Sequence, residues 1–400
     1  MKPTVSRRTF FKAAAGAALA ATARAQTPAA PKIAGFDETD AGKVKAAAWT
    51  PFSDRKVKVG IAGYGVCKFG AAFGFQNHPN VEVVAATDLN PAACAELAKV
   101  TGARKTYASC EEMYAKDREI EAVFIATDAP SHAELCIKGL KRGLHVASAV
   151  PAVFGEDQLV LADELLATVK ATGLVYALFE TTAFRPQCYA MREIYKAGGF
   201  GKLIYTEGEY YHYMDKHIGS YKDWRVALPP QYYPTHSNGF YTCVTGGSFT
   251  EVSCLAMPSL LADNQPGKNR YNNPFATEVA LFRTSEGGMA RMAVSWDMPG
   301  AHGEKGRVYG QKGSFEERYS GQADISKVTQ EKPPLPPGVP GGGHGGSHGY
   351  LTDDFIRAIL LKGRPVCDAA CALNTTVSGI YAHLSAMKGG ETLKIPQFRL

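Results

Sequence analysis

Short apolar runs alternate with helix-length amphipathic stretches through the first half of the chain. Residues 56–62 predict a buried strand, followed by a glycine turn, an apolar helical segment over 69–76 and a second strand over 81–88. Helices are predicted over 91–101 and 110–116, a strand over 121–127, a helix over 131–143, a strand over 144–148, a helix over 156–172 and a strand over 174–180. Strands and helices alternating at this spacing form a parallel sheet wound with helices on its faces. The pattern changes afterwards. A helix over 186–197 stops at Gly198-Gly199, a strand follows over 202–213 and a helix over 235–244. Alternating strands over 249–257, 275–284 and 288–297 read as antiparallel sheet. A proline- and glycine-crowded stretch, 333–349, precedes closing helices over 350–361 and 369–387.

A length of 400 residues suits two domains, with 45% hydrophobic and 20% charged residues in an ordinary globular balance. No apolar run reaches the roughly 18 residues of a membrane span. Nine cysteines without a CxxC pair argue against a disulfide framework or a zinc ribbon. The first 25 residues carry Ser6-Arg7-Arg8-Thr9-Phe10-Phe11-Lys12, an alanine-rich stretch over 13–21 and Ala23-Arg24-Ala25. A basic region, a short apolar region and a small-residue cleavage site make an export signal, and the paired arginines mark the twin-arginine type. The expected destination is the periplasm or the exterior, reached through the twin-arginine (Tat) export machinery. Removing residues 1–25 removes five basic residues and no acid, so the formal charge falls from +6 to +1. Neither nucleic acid nor a membrane surface is an expected partner. Residues 26–54, rich in Ala, Pro and Thr, read as a linker or surface arm.

The first predicted strand runs into Gly63-Tyr64-Gly65-Val66-Cys67-Lys68, and the second ends at Asp88. Strand, glycine turn, helix, strand and acid together are the context of a Rossmann dinucleotide site. Gly63 allows the tight turn and Gly65 lets a pyrophosphate approach, against the positive end of the following helix. Lys68 stands where a third glycine is usual, which either loosens helix–strand packing or adds a phosphate contact. Asp88 can accept from both ribose hydroxyls and would repel a 2′-phosphate, favouring NAD over NADP. Ligands of such sheets sit at the carboxyl ends of the strands, which selects Gly63, Asp88, Thr127, Ala149-Val150-Pro151 and Glu180.

These motifs, with Ala126-Thr127 five residues before His132 and Gly143-Leu144-His145-Val146 ahead of Pro151, resemble the Gfo/Idh/MocA oxidoreductases. The resemblance covers about residues 55–400. It implies a fold of class α/β: a Rossmann doubly wound parallel sheet over 55–180, then an α+β substrate domain with a mostly antiparallel open sheet over 181–400. It also implies a cofactor contact for Tyr64, Val66, Cys67, Lys68, Thr127, His132 and Pro151, and a sugar or polyol against the nicotinamide. The family's usual Glu-Lys-Pro falls on Ala149-Val150-Pro151, so its proton-transferring lysine is absent. The glycoside hydrolase family 109 branch also lacks that lysine. Trp224-Arg225, Tyr233-Pro234-Thr235-His236, Gly310-x-Lys312-Gly313 and Gly343-His344-Gly345-Gly346 resemble that branch. The branch's glutamate is Ala149 here, and its catalytic tyrosine falls on Phe184.

Eight tyrosines and one tryptophan lie between Tyr205 and Tyr241, suited to stacking on a sugar and hydrogen-bonding its hydroxyls. With the resemblance, His236 is the expected proton acceptor beside Tyr233, and Glu180, Trp224, Arg225 and His344 are expected at the substrate. Glu278 reads equally well as a solvated strand residue. The 333–349 stretch is expected to close over the site on glycine hinges. His344 and His348 raise a metal site, set aside because no third ligand stands at suitable spacing. Cys367 and Cys371 read as i, i+4 core residues of one helix. The expected activity is hydride transfer from a sugar or glycoside to tightly bound NAD by a homo-oligomer. The alternatives are an NAD-dependent glycosidase working by transient oxidation, elimination and re-reduction, and a non-catalytic sugar- or nucleotide-binding relative.

Overall fold

The computed structural model describes residues 49–260, 262–267 and 269–400; the export signal and most of the 26–54 arm lie outside the described residues. The end of that arm is docked rather than free. Trp49 meets Phe52 edge-on, Phe52 lies against His78 and under the Arg357 guanidinium, and Asn80 donates to the Ser53 carbonyl at 2.7 Å.

The first half contains β1 (Val57–Ala62), α1 (Phe69–Ala72), β2 (Val81–Thr87), α2 (Pro91–Thr101), β3 (Lys105–Tyr107), α3 (Cys110–Lys116), β4 (Ala122–Ile125), α4 (His132–Lys141), β5 (His145–Ser148), α5 (Leu159–Thr172) and β6 (Tyr176–Leu178). The strands form one parallel sheet in the order β3-β2-β1-β4-β5-β6, the doubly wound topology expected. Local chemistry sets the helix ends. Asn90 caps α2 by accepting from the Ala92 and Ala93 amides, Pro91 opens it, and Gly102 ends it with φ of 73°. Two differences from the sequence reading stand out. The helix predicted over 69–76 stops at Ala72, because Gly74 takes φ of 76° and restarts the chain as a single 3₁₀ turn. The edge strand β3 has three residues and no apolar alternation, so the pattern did not reveal it.

The second half contains α6 (Pro186–Lys196), β7 (Leu203–His212), α7 (Thr235–Thr245), β8 (Phe249–Pro258), β9 (Phe275–Thr284), β10 (Met289–Ser295), β11 (His302–Gly310), β12 (Gly313–Phe315), β13 (Tyr319–Gly321), a short turn α8 (Gly343–Gly346), α9 (His348–Leu360), α10 (Ala369–Met387) and β14 (Leu393–Lys394). Its eight strands run in the order β13-β12-β11-β7-β10-β9-β8-β14, antiparallel except for β7 against β10. Helix α9 begins two residues earlier than expected. Asp368 caps α10 by accepting from the Cys371 amide, so Cys367 precedes that helix instead of lying on it. Phe73, Phe75, Phe124, Phe179 and Phe355 interlock in one aromatic core, which fixes α9 against the carboxyl edge of the parallel sheet.

Candidate active site

Between β1 and α1 the chain makes the expected close turn. A side chain on Gly63, which has φ of 102°, would start 2.3 Å from the Ala126 carbonyl oxygen, whereas one on Gly65 would meet nothing within 4 Å. Gly63 is therefore needed for packing, and Gly65 keeps a face of the turn open. The tight helix–strand approach expected of a third glycine is made by Gly70, whose Cβ would lie 2.3 Å from the Gly63 carbonyl oxygen. Packing is thus not loosened at Lys68. That residue adopts φ of 52°, and its ammonium lies 3.1 Å from Glu96 and 4.0 Å over the Tyr64 ring. Asp88 accepts from the Tyr64 amide at 2.7 Å and the Asn90 amide at 2.8 Å, which holds its carboxylate at the strand end. Helix α1 has only four residues, so the dipole assistance expected from a longer helix is small.

These groups line a cleft of about 820 Å³ together with Val66, Cys67 and Thr127 from the same half, and Trp224, Arg225 and Arg270 from the other. The open face at Gly65 and the fixed carboxylate of Asp88 fit a dinucleotide: backbone for the pyrophosphate, an acceptor for the ribose. His132 and Pro151, expected at the cofactor, do not line this cleft. His132 is buried, with Nδ1 3.0 Å from the Pro151 carbonyl and Nε2 3.2 Å from the Thr127 carbonyl, so it ties together the loops after β4 and β5. Burial holds its imidazole below the ordinary value, despite both carbonyls.

Glu180, two residues past β6, is fully buried; like His236, Tyr233 and His344 it does not itself line the cleft, and its carboxylate faces His236. Its Oε1 lies 2.9 Å from His236 Nδ1 and accepts from the Thr182 amide at 2.8 Å. Thr181 Oγ1 is also 3.3 Å from Nδ1. A second carboxylate comes from β11: Glu304 Oε1 is 4.0 Å from His236 Nδ1. Arg185 grips Glu304 with two parallel bonds, Nε to Oε2 at 2.6 Å and Nη2 to Oε1 at 2.8 Å, and Thr182 Oγ1 donates to Oε2 at 2.8 Å. Burial pulls the His236 imidazole down, but the charges of Glu180 and then Glu304 outweigh it and leave its pKa raised. For Glu180, burial works upward, and the charge of His236 with its hydrogen bond carries the carboxyl below its usual range. Both shifts describe one ion pair.

Tyr233 precedes α7 and is buried, its ring edge-on to His236 at 5.6 Å and stacked on Trp224 at 6.4 Å; Arg225 lies 4.2 Å over Trp224. Tyr232 turns away, toward His383 and Phe154. Glu278 is no solvated residue: fully buried, it pairs with His383 at 2.7 Å and accepts from the Gln231 amide at 2.7 Å, anchoring the loop that presents Tyr233. Phe184 stacks on Tyr350 and offers no hydroxyl where the resemblance implied one.

The glycine-rich loop is already seated. His344, with φ of 53°, is buried 5.8 Å from the His236 ring and 6.0 Å from Phe69, and its Nδ1 lies 2.8 Å from His348 Nε2. Lys332 pins the turn by donating to the carbonyls of Phe184, Gly345 and Gly346 at 2.9, 3.3 and 2.9 Å. Burial, and then the neighbouring His348, hold His344 well below the ordinary histidine value; burial lowers His348 to about 4. Ligand atoms of His236, Glu304 and His344 lie within 4.8 Å of one another, a group that includes His344 but not His348. The third donor comes from a strand the sequence reading missed, and its carboxylate is already neutralised by Arg185.

Sequence reasoning thus missed Arg185, Glu304 and Lys332. Arg185 follows the Glu180–Phe184 segment directly, which was a usable signal; Glu304 and Lys332 join it only through the fold.

Residues 57–179 match the family described as oxidoreductase family, NAD-binding Rossmann fold (GFO_IDH_MocA). The chain is similar to Glycosyl hydrolase family 109 protein 1 of Bacteroides fragilis, 29% identical over 210 residues, covering 46% of this chain and 42% of that protein. It is also similar to a glycosyl hydrolase family 109 protein of Porphyromonas gingivalis, 27% identical over 201 residues, 46% and 41% of the two chains. These matches span less than half the length of the curated relatives. Among solved structures, levoglucosan dehydrogenase in complex with NADH and levoglucosan superposes with a TM-score of 0.69 at 18% identity, covering 86% of this chain and all of that one. Apo scyllo-inositol dehydrogenase from Lactobacillus casei gives 0.65 at 16% identity, covering 86% and 99%. At such identities these likenesses establish the fold.

Proposed function

We propose, from the match of residues 57–179 to the Gfo/Idh/MocA family of NAD-binding oxidoreductases, that the chain is a member of that family and oxidises a sugar or glycoside with NAD as hydride acceptor. The observation that carries this reading is the buried His236–Glu180 pair, 2.9 Å apart past the carboxyl end of β6 and linked to α1 through the His344 ring, 5.8 Å from His236 and 6.0 Å from Phe69. Gly63, Gly65 and Asp88 would hold NAD, which when bound would supply a hydride acceptor for a carbon bearing a hydroxyl. Glu180 and Thr181 both face Nδ1 of His236, so Nε2 is the atom that takes the hydroxyl proton. Trp224 and Arg225 line the cleft as the wall on which a sugar ring would stack and hydrogen-bond, with Tyr233 stacked on Trp224. His344 covers the far side of His236 and keeps water away from it.

A second reading, net glycoside hydrolysis, is favoured by Val150 at the usual lysine position and by the family 109 relatives. Oxidation beside an acidic C–H, loss of the aglycone, addition of water and return of the hydride balance to hydrolysis with no net redox change. Both readings are tested by incubating the folded protein with a panel of free sugars and aryl glycosides while following nicotinamide absorbance. NADH accumulation with free sugars supports oxidation; aglycone release without it supports hydrolysis. A preparation that neither contains nor binds NAD refutes both.

The Arg7-Arg8 signal supports export by the twin-arginine route, checked by loss of periplasmic protein on R7K/R8K substitution. Exposed Leu255, Leu281 and Met289 on the outer sheet support a homo-oligomer, checked by sedimentation: a purely monomeric protein refutes it.

A further inference from the structure

Away from the cleft, three thiols converge in the core. Cys243 lies on α7, Cys371 in the first turn of α10 and Cys367 just before α10, all three buried, with their sulfur atoms within 4.8 Å of one another. They are 124 and 4 residues apart in sequence, so only the fold assembles them. Metal–sulfur bonds of about 2.3 Å place three sulfurs of a trigonal site about 4 Å apart, and a small inward movement of these side chains reaches that spacing. No histidine or carboxylate joins the group among the described residues. The fourth donor of a structural tetrahedral zinc site is therefore missing, while an all-sulfur, three-donor set suits a soft cation. Thr375 Oγ1 lies 4.0 Å from Cys371 Sγ and adds a polar neighbour to the group.

We propose that Cys243, Cys367 and Cys371 form a three-coordinate thiolate site for a soft monovalent cation of the Cu(I) class. Each sulfur that becomes a thiolate ligand gives its proton to solvent, and no electrons are transferred. The site links both halves of the candidate catalytic pair. Cys243 lies seven residues, about two helical turns, after His236 on α7. The Cys367 carbonyl accepts from the Leu178 amide at 2.9 Å, two residues before Glu180. A bound cation therefore clamps the helix carrying His236 to the strand end carrying Glu180.

The test uses the full chain, reduced and kept anaerobic, mixed with Cu(I) presented as a competing chelator complex and then desalted. The wild type should retain one equivalent with an X-ray absorption spectrum showing only sulfur in the first shell, and its thermal midpoint should rise on loading. Cys371→Ser and Cys367→Ser should each retain less than a tenth as much, whereas Cys94→Ser, at a separate buried thiol, should retain the full equivalent. The wild-type spectrum decides the matter even where a serine variant fails to fold. No retention by the wild type, nitrogen in the first shell, full retention by both folded serine variants, or a disulfide among the three cysteines of the purified protein each overturn the proposal.

Discussion

Replacing Glu180 with glutamine keeps the shape of the candidate site and removes the strongest charge acting on His236. At 2.9 Å the Coulomb attraction is about 6 kcal/mol at an effective dielectric near 20. Glu304, at 4.0 Å, adds about 4 kcal/mol on the same scale, but Arg185 is bonded to both of its oxygens and cancels much of that. Desolvation offsets part of the gain, and stranding one partner of a buried pair typically costs about 3–5 kcal/mol. The imidazole can escape by releasing its proton, so the cost depends on pH. In the native protein the folded His236 pKa lies above its unfolded value. Its contribution to stability is complete below about pH 6.5 and is lost as pH rises through the folded pKa. The matching Glu180 contribution is present above its unfolded pKa and lost as pH falls through the lowered one. In Glu180→Gln burial dominates and the imidazole becomes neutral. Urea unfolding from pH 5.5 to 9 should show the variant destabilised by about 2–4 kcal/mol at pH 6, with the gap to wild type shrinking steadily toward pH 9. Other buried histidines titrate in both proteins and drop out of the difference. A gap that is constant or widens with pH would show that His236 is not held protonated by Glu180.

The two glycines of the turn should separate stability from binding: Gly70→Ala, facing a carbonyl at 2.3 Å, should lower the thermal midpoint by several degrees, whereas Gly65→Ala should leave it unchanged yet weaken NAD in calorimetry at least tenfold. Asp88→Asn removes a charged acceptor worth about 1.5–3 kcal/mol, so NAD affinity should fall about 10- to 100-fold, with a smaller loss for NADP; equal losses would refute the ribose assignment. His348, lowered to about 4, stays neutral in the fold while the unfolded imidazole charges. Its contribution is therefore lost as pH falls from about 6.5 toward 4, up to about 3 kcal/mol, and His348→Gln should flatten that limb of the stability profile.

The parallel sheet was legible because its strands are buried on both faces and read as unbroken apolar runs; β1, β2, β4 and β5 follow them within two residues at either end. The edge strand β3, Lys-Thr-Tyr, carries no such signal. Strand β11 escaped for a different reason: His302–Gly310 interleaves three glycines with Glu304, Lys305 and Arg307 and reads as a loop. Its Gly306 lies where a Cβ would meet the Phe240 ring at 2.1 Å, so the sheet there closes over α7 only because no side chain intervenes. Losing β11 from the reading lost Glu304, and with it the third group around His236. The pairing of Glu180 with His236 was hidden for a related reason. The strand end places it correctly, but only the packing of α7 shows that its oxygen faces Nδ1 instead of an open cleft.

On the proposed reading, the charge arrangement would let a site with Val150 at the usual lysine position move a proton. Glu180 and Glu304 carry two negative charges; Arg185 and protonated His236 carry two positive ones. The cluster is neutral with the imidazolium present and carries one net negative charge without it. In a buried site that imbalance favours proton uptake, the cause of the raised His236 value. On the proposed reading, the positive charge that His236 would gain would offset the one that a bound oxidised nicotinamide would give up, so the total charge of the site would stay constant and little of the surrounding structure would have to reorganise. The base form of His236 is then stabilised only beside the oxidised ring. Histidine resonances followed by NMR should place the His236 pKa lower in the NAD⁺ complex than in the NADH complex, and Glu304→Gln should lower both values while keeping their difference. Equal pKa values in the two complexes would mean that His236 is too far from the reacting carbon to serve as its proton acceptor.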